Sequence, residues 1–554
     1  MPSSTKATKQ LRESYGSSLP YKHAVIGALF DPDLLRAAQK EIIKGLNFSE
    51  KETDIYKVFQ TGDLASLSYL THAQLSLFPN LLKLRDALYS STFRKFLQQV
   101  TGCGSLSGVK QDMSINSYRS GCHLLNHDDV IGTRRVSYIL YMPIQNDHEI
   151  EWDPSWGGAL EFYPVKSIGM SFEPEPSPSR ALPPSWNQFV FFEVQPGHSF
   201  HSVEEVVVGG PNDSRQRLSV SGWYHAPQFG EEGFEDNDDK DVRQKQSSLS
   251  QLSSSVTGDL VDYSADLGST AEELGPVEIQ ELSAFLNPAY LLPSTLNALH
   301  QKFTADSSIQ LVDFLKEDIA RTLCDALRNE DQTDGLGYSR TRRIPTHISG
   351  LATRRWKIKG PPHKHRFCVL DHNSSSQIST ASSTLYKLET GLFTSPAFRK
   401  WLHIISSYTP TKYFTQARRF RPGLDYTLAR SSDEEPRLDA ILGLTPPFVE
   451  GKTNQWEEGQ WGGWECYMAP HEGEDDPAVY RSGSMRSHPG TGEVEEDGEG
   501  TLLTVQAQFN RLLLVLRDEG VLRFVKYVSA AAPGSRWDIC GEYSVDTFGE
   551  ADGV

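Results

Sequence analysis

The chain has 554 residues, with 54 Lys+Arg against 72 Asp+Glu and a formal net charge of -18. That balance opposes binding of nucleic acid or anionic membranes by the molecule as a whole. No run approaches the roughly 18 consecutive apolar residues of a membrane span, and MPSSTKATKQLRESYGSS lacks the apolar stretch of a secretory signal, so the cytoplasm and nucleus are the expected compartments.

The chain is too long for one core, and two β-rich domains of about 200–250 residues account for it. Residues 1–20 are polar and read as a disordered tail. FDPDLLRAAQKEI then opens a helix, with Asp31 as N-cap and Pro32 in the first turn. TFRKFLQQV (92–100) continues the helical part. Short β-branched and aromatic runs follow: RRVSYILYMP, NQFVFFEV, HSVEEVVV and RLSVSGWYH, each bounded by turn residues.

Residues 228–275 hold twelve acids and three bases, which supplies -9 of the -18. With their serine tracts they read as an acidic linker. Beyond it, FLNPAYLLPSTLNALHQKF repeats the cap-and-proline device at Asn287 and Pro288, and AFRKWLHII (397–405) repeats the earlier helix. An acidic, glycine-rich stretch at 471–500 reads as a surface loop. The six cysteines (Cys103, Cys122, Cys324, Cys368, Cys466, Cys540) form no C-x-x-C pair, which points to reduced packing residues.

The halves look like copies. YRSG (118–121) pairs with FRPG (420–423), WGGALEFY (156–163) with WGGWECYM (461–468), WNQFVFFEVQPG (186–197) with FNRLLLVLRDEG (509–520), and RLSVSGWY (217–224) with RWDICGEY (536–543). The expected architecture is mainly β with flanking helices (α+β): two tandem double-stranded β-helix (jelly-roll) domains, the first at 21–227 and the second, a degenerate copy, at 276–545.

Chemistry concentrates in the first copy. Residues two apart on a strand share a face, so in NHDDVIGTRR the side chains of His127 and Asp129 reach one point while Asp128 faces away. Sixteen histidines and 72 acids would produce about two H-x-[DE] pairs by chance, so this signal alone is weak. PGHSFHSVEEV adds His198, in a turn after Pro-Gly, and His201, in a strand. Two histidines and a carboxylate on one side of a metal leave adjacent coordination positions open, which suits non-haem Fe(II) oxygenases. R-x-S in RLSVSGWYH then offers Arg217 and Ser219 on one strand face. A guanidinium inside a barrel implies an anionic partner, such as the distal carboxylate of a 2-oxo acid.

The order H-x-D, distal His, R-x-S and G-W-[YF]-H resembles the iron(II)- and 2-oxoglutarate-dependent oxygenases. HDDVIGTRR-SYILY, WGG-LEFY, P-WNQ-VFFEV-PG-SFHSV and RLS-SGWYH resemble the prolyl hydroxylases that act on a small-subunit ribosomal protein, whose fungal members are prolyl 3,4-dihydroxylases. The resemblance covers roughly residues 21–545. It implies iron ligands at His127, Asp129 and His201, and a co-substrate arginine at Arg217 supported by Ser219, with Arg215 as a rival in a longer turn. It also implies that Tyr118 and Tyr141 touch the co-substrate; by pattern alone they are half-buried strand aromatics.

Implied cofactors are Fe(II), 2-oxoglutarate, O2 and L-ascorbate (vitamin C). Implied partners are the ribosomal protein and, through the second domain, translation-termination or regulatory proteins. The second copy is expected to lack iron chemistry, since alignment sets Ala429, Ser431 and Phe524 opposite the three ligands. Alternatives are the same chemistry on another protein or nucleic-acid target, or a binding protein that senses oxygen or 2-oxoglutarate.

Overall fold

The computed structural model describes residues 5–65, 71–145, 151–169, 171–235, 260–263, 273–340, 343–352, 355–373, 379–431, 436–450, 453–469 and 501–546. The chain divides into two compact units between residues 252 and 253, with residues 360–364 grouped with the first.

In the first unit, residues expected as a disordered tail form a helix, Thr5–Ser17. Tyr15 is the reason: it is 1% exposed, its ring stacks on Phe191 at 6.1 Å, and its hydroxyl accepts from the Glu193 N–H at 3.2 Å. The Pro32–Gly45 helix is capped as expected, with Asp31 accepting from the amides of Asp33 and Leu34 at 3.0 Å. Behind these helices lies one antiparallel sheet. Its order is His23–Ile26, Phe189–Glu193, Arg134–Tyr141, Arg217–His225, Gln111–Tyr118, Tyr56–Gln60, His123–His127, His201–Val203, Leu160–Phe162, Arg180–Leu182.

The second unit repeats this order in two sheets. The larger runs Ser308–Val312, Phe509–Arg517, Arg437–Leu444, Arg536–Asp546, Thr409–Phe420, His365–Leu370, Trp356–Lys359, and the smaller Arg430–Ser431, Leu522–Val525, Glu465–Met468, Thr501–Val505. The asparagine shared by WNQ (186–188) and FNR (509–511) explains part of the correspondence. Asn187 (φ 58°) and Asn510 (φ 55°) both sit in the left-handed region that asparagine tolerates. Each side chain brackets one residue beyond the first strand of its unit. Asn187 accepts from Phe30 N at 3.0 Å and donates to Phe30 O at 2.6 Å; Asn510 does the same with Leu315 at 2.7 and 3.2 Å. The FRK helices also match, since Ser90 and Ser395 cap them through the amides of Phe93 and Phe398.

Asn287 caps a 3-10 turn, Pro288–Leu291, rather than an α-helix, because Pro293 starts a separate helix, Pro293–Asp306. Within the expected linker, Val261–Asp262 pairs with Tyr413 and Lys412, and Tyr263 packs against Tyr413 and Arg399. Residues 236–259 and 264–272 of that linker and the whole 471–500 loop lie outside the described residues. All six cysteines are free, and no described helix is long and apolar enough to cross a membrane.

Candidate active site

The antiparallel pairing of His123–His127 with His201–Val203 sets His127 directly opposite His201. Their rings lie 4.2 Å apart. Asp129 follows in a left-handed conformation (φ 63°), which turns its carboxylate back toward both imidazoles. His127 Nε2 is 3.3 Å from Asp129 Oδ1, and His201 Nε2 is 3.5 Å from Oδ2. One donor atom from each of the three residues lies within 4.8 Å of the others.

The local backbone chooses which nitrogen faces inward. His127 Nδ1 is 2.8 Å from Leu125 O and His201 Nδ1 2.8 Å from Ser199 O, so Nδ1 donates to a carbonyl and Nε2 is left for the site. Asp128 does face away: its carboxylate accepts from Gly197 N at 3.3 Å, and its carbonyl accepts from the Ser199 hydroxyl at 2.9 Å. The turn at 195–199 is thereby tied to the metal-ligand segment. Burial alone would raise the Asp129 carboxyl, but His201 and His127 overcome it and hold the group well below the usual carboxylate range. Burial pulls the His127 imidazole down, and contact with Asp129 outweighs it, so its pKa is raised. Two nitrogens and a carboxylate clustered at this spacing are a fitting donor set for a ferrous ion.

Arg217 begins its strand opposite Tyr118, and Ser219 pairs with Tyr141 on the neighbouring strand. The Arg217 side chain is buried. Its Nε donates to Gly158 O at 2.6 Å and an NH2 group to the Tyr141 hydroxyl at 3.1 Å, and its guanidinium lies 4.8 and 4.9 Å from the rings of Tyr118 and Tyr141. Among the described residues it has no carboxylate partner. A buried, permanently charged group of this kind is poised for an anion. Burial pushes the phenols of Tyr118 and Tyr141 up, against the pull of Arg217, so both stay protonated donors.

Arg215 is already bound, with Nε 2.9 Å from Asp213 Oδ1 and NH2 2.7 Å from Oδ2, and it lies over Trp156 at 4.5 Å. His198 sits in the turn, its ring 4.2 Å from that of Phe172, outside the cluster.

The WGG motif acquires a reason here. Gly158 has φ 77°, and a Cβ on it would stand 2.8 Å from Arg217 Cδ. In the second unit Gly463 (φ 70°) likewise accepts from Arg536 Nε, at 3.0 Å. What Arg536 meets next differs. Glu465 and Asp538, at the positions of Leu160 and Ser219, close on its guanidinium. Strand pairing also corrects the sequence alignment by one residue. Glu465–Met468 and Leu160–Phe162 are equivalent, and Tyr467 pairs with Arg523 as Phe162 pairs with His201. Arg523 in turn pairs with Arg430 as His201 pairs with His127. Arginines, not Phe524 and Ala429, therefore stand at the two histidine positions. Arg523 is buried against Glu465 (2.6 Å), Asp439 (3.2 Å) and Glu542 (3.2 Å).

Residues 113–225 match the 2OG-Fe(II) oxygenase superfamily, and residues 277–552 match the oxoglutarate and iron-dependent oxygenase degradation C-terminal family. The chain is 35% identical to prolyl 3,4-dihydroxylase OGFOD1 of Ostreococcus tauri, over 95% of each chain. It is 25% identical to prolyl 3-hydroxylase OGFOD1 of Mus musculus, over 94% of this chain and 89% of that one. Among solved structures, a Pseudomonas putida prolyl-4-hydroxylase is similar to 39% of this chain over 98% of its own, with 17% identity and a TM-score of 0.28. With a relative of that identity spanning nearly its whole length, the chain belongs to the iron(II)- and 2-oxoglutarate-dependent prolyl hydroxylases.

Proposed function

We propose that this enzyme hydroxylates a prolyl residue of a small-subunit ribosomal protein, by 3-hydroxylation or 3,4-dihydroxylation, and so acts on the accuracy and termination of translation. The observation that carries the reading is the convergence of His127, Asp129 and His201 in the barrel that also buries Arg217 without a carboxylate. The prolyl 3- and 3,4-hydroxylase relatives support the target residue, and the net charge of -18 favours a basic protein substrate.

His127, Asp129 and His201 would hold Fe(II). The ion, when bound, supplies the redox chemistry that couples O2 and 2-oxoglutarate decarboxylation to oxygenation of a prolyl C–H. The chain's own contribution is positioning. Carbonyls of Leu125 and Ser199 lock the imidazole tautomers. Arg217 takes the distal carboxylate of 2-oxoglutarate, with Ser219 beside it and the phenols of Tyr118 and Tyr141 as walls and donors. Buried aromatic and aliphatic side chains, Leu160, Phe162, Val190 and Phe192 among them, keep water from the space between. L-ascorbate as reductant and residence in cytoplasm and nucleus belong to the same proposal. So does a non-catalytic second unit that serves termination or regulatory partners; Arg430 and Arg523 at its two histidine positions support that part.

Gly158→Ala is expected to raise the KM for 2-oxoglutarate about tenfold or more, roughly the loss of one charge-assisted hydrogen bond, because the added Cβ displaces Arg217. Steady-state kinetics at saturating Fe(II) measures it; an unchanged KM would remove Arg217 from the co-substrate site.

The function itself is tested by incubating the purified chain anaerobically with Fe(II) and 2-oxoglutarate, then admitting air with candidate peptides. The expected product is a peptide heavier by one or two oxygen atoms on proline, with matching succinate. Oxygen on lysine or a nucleobase instead would overturn the prolyl target, and binding of metal and 2-oxoglutarate without turnover would favour a sensing role.

A further inference from the structure

Ahead of the first strand of the catalytic unit stands Tyr21, a residue that neither the motifs nor the ligand set explains. Its side chain is one of the interior cluster that includes Tyr118, Tyr141, Leu160, Phe162 and Phe192. Its ring meets those of Phe162 and Phe192 edge-on at 5.3 and 5.7 Å, and Phe192 in turn meets His201 edge-on at 4.9 Å. His23 anchors the segment, with Nδ1 2.8 Å from Tyr21 O and its ring stacked on Phe162 at 4.5 Å. Tyr21 is 8% exposed, yet its hydroxyl is buried without a hydrogen-bond partner among the described residues. A buried hydroxyl left unsatisfied is costly, and such groups call for an explanation.

The explanation follows from where the hydroxyl stands. Phe162 lies directly opposite His201 in the sheet and Phe192 meets the His201 ring. Tyr21, packed on both, therefore occupies the metal end of the pocket, where its phenol, raised chiefly by burial, also feels the charge of Asp129. Both Asp129 oxygens now face imidazole nitrogens, at 3.3 and 3.5 Å. When those nitrogens turn their lone pairs to a cation, the carboxylate loses both contacts, and a monodentate carboxylate leaves one oxygen in need of a donor.

We propose that Tyr21 is a positioning residue whose hydroxyl donates to the Asp129 carboxylate oxygen that does not bind the metal. The proposal rests on the reading of His127, Asp129 and His201 as the metal site. Tyr21→Phe keeps the ring and deletes only the hydroxyl, so the metal-free variant should melt at the same temperature as wild type or higher. Its affinity for Co(II) alone, followed by the visible absorption of the bound ion in the full-length chain, should fall about tenfold. The rise in Tm produced by saturating Co(II) should shrink accordingly.

A merely structural role would lower metal-free and loaded Tm together and leave the rise unchanged. An affinity within twofold of wild type with an identical spectrum would overturn the inference while leaving the metal site standing. Co(II) binding of equal strength in wild type and His201→Ala would instead overturn the metal-site reading, and this inference with it.

Discussion

His201→Ala is expected to fold and to lose turnover by on the order of 1000-fold, since even partners of metal ligands cost about 10–100-fold when removed. Folding should survive because the residue lies at the start of a three-residue strand, His201–Val203, whose backbone pairing does not use the imidazole. Succinate formation from 2-oxoglutarate, Co(II) absorption and thermal melting together check it. Retained Co(II) affinity would show that the cluster of His127, Asp129 and His201 is not the metal site. A variant that is inactive in vitro yet keeps its cellular role would favour the sensing alternative.

The second large effect is expected in the other unit, on stability. Arg523→Leu removes a guanidinium buried among Glu465, Asp439 and Glu542. Burial opposes ionisation of all three carboxyls. Arg517, Arg523 and Arg437 nevertheless bring Glu542 down to about 2, and Arg523, Arg418 and Arg536 hold Glu465 below its ordinary range. Asp439 is already raised by burial despite Arg517 and Arg523. Deleting one cation from such a lattice strands buried negative charge, for which about 3–5 kcal/mol is typical. The double replacement Arg523→Leu/Glu465→Leu removes charge in a pair and should recover part of that loss. Urea unfolding of the single and double variants is the measurement; a single-variant loss below about 1 kcal/mol would contradict the account.

Much of this site was legible because its chemistry is carried by short-range spacing. H-x-D at 127–129, the strand histidine at 201 and R-x-S at 217–219 each report a strand face, and strand alternation converts spacing into direction. The matched motifs have a similar basis: the WGG glycine with its arginine, and the asparagine bracket, are held by the same kind of backbone contact in each unit. The register of the ligand strands in the second unit was not legible, because it is set by pairing across distant segments. Tyr21 escaped since nothing in YKHAVI distinguishes a core tyrosine from one whose hydroxyl is stranded; that depends on what surrounds it. The Thr5–Ser17 helix escaped because only Tyr15, with partly buried Leu11, anchors an otherwise polar segment.

Arg523 gives the C-terminal unit a cation that is part of the polypeptide, whereas the catalytic unit must borrow one from solution. A borrowed ion stabilises only in proportion to its supply, about 2.7 kcal/mol at a hundredfold excess over Kd, while a covalent one is present at all times. Iron starvation or a chelator should therefore soften the N-terminal unit, whereas the cation inside the C-terminal unit does not depend on the iron supply.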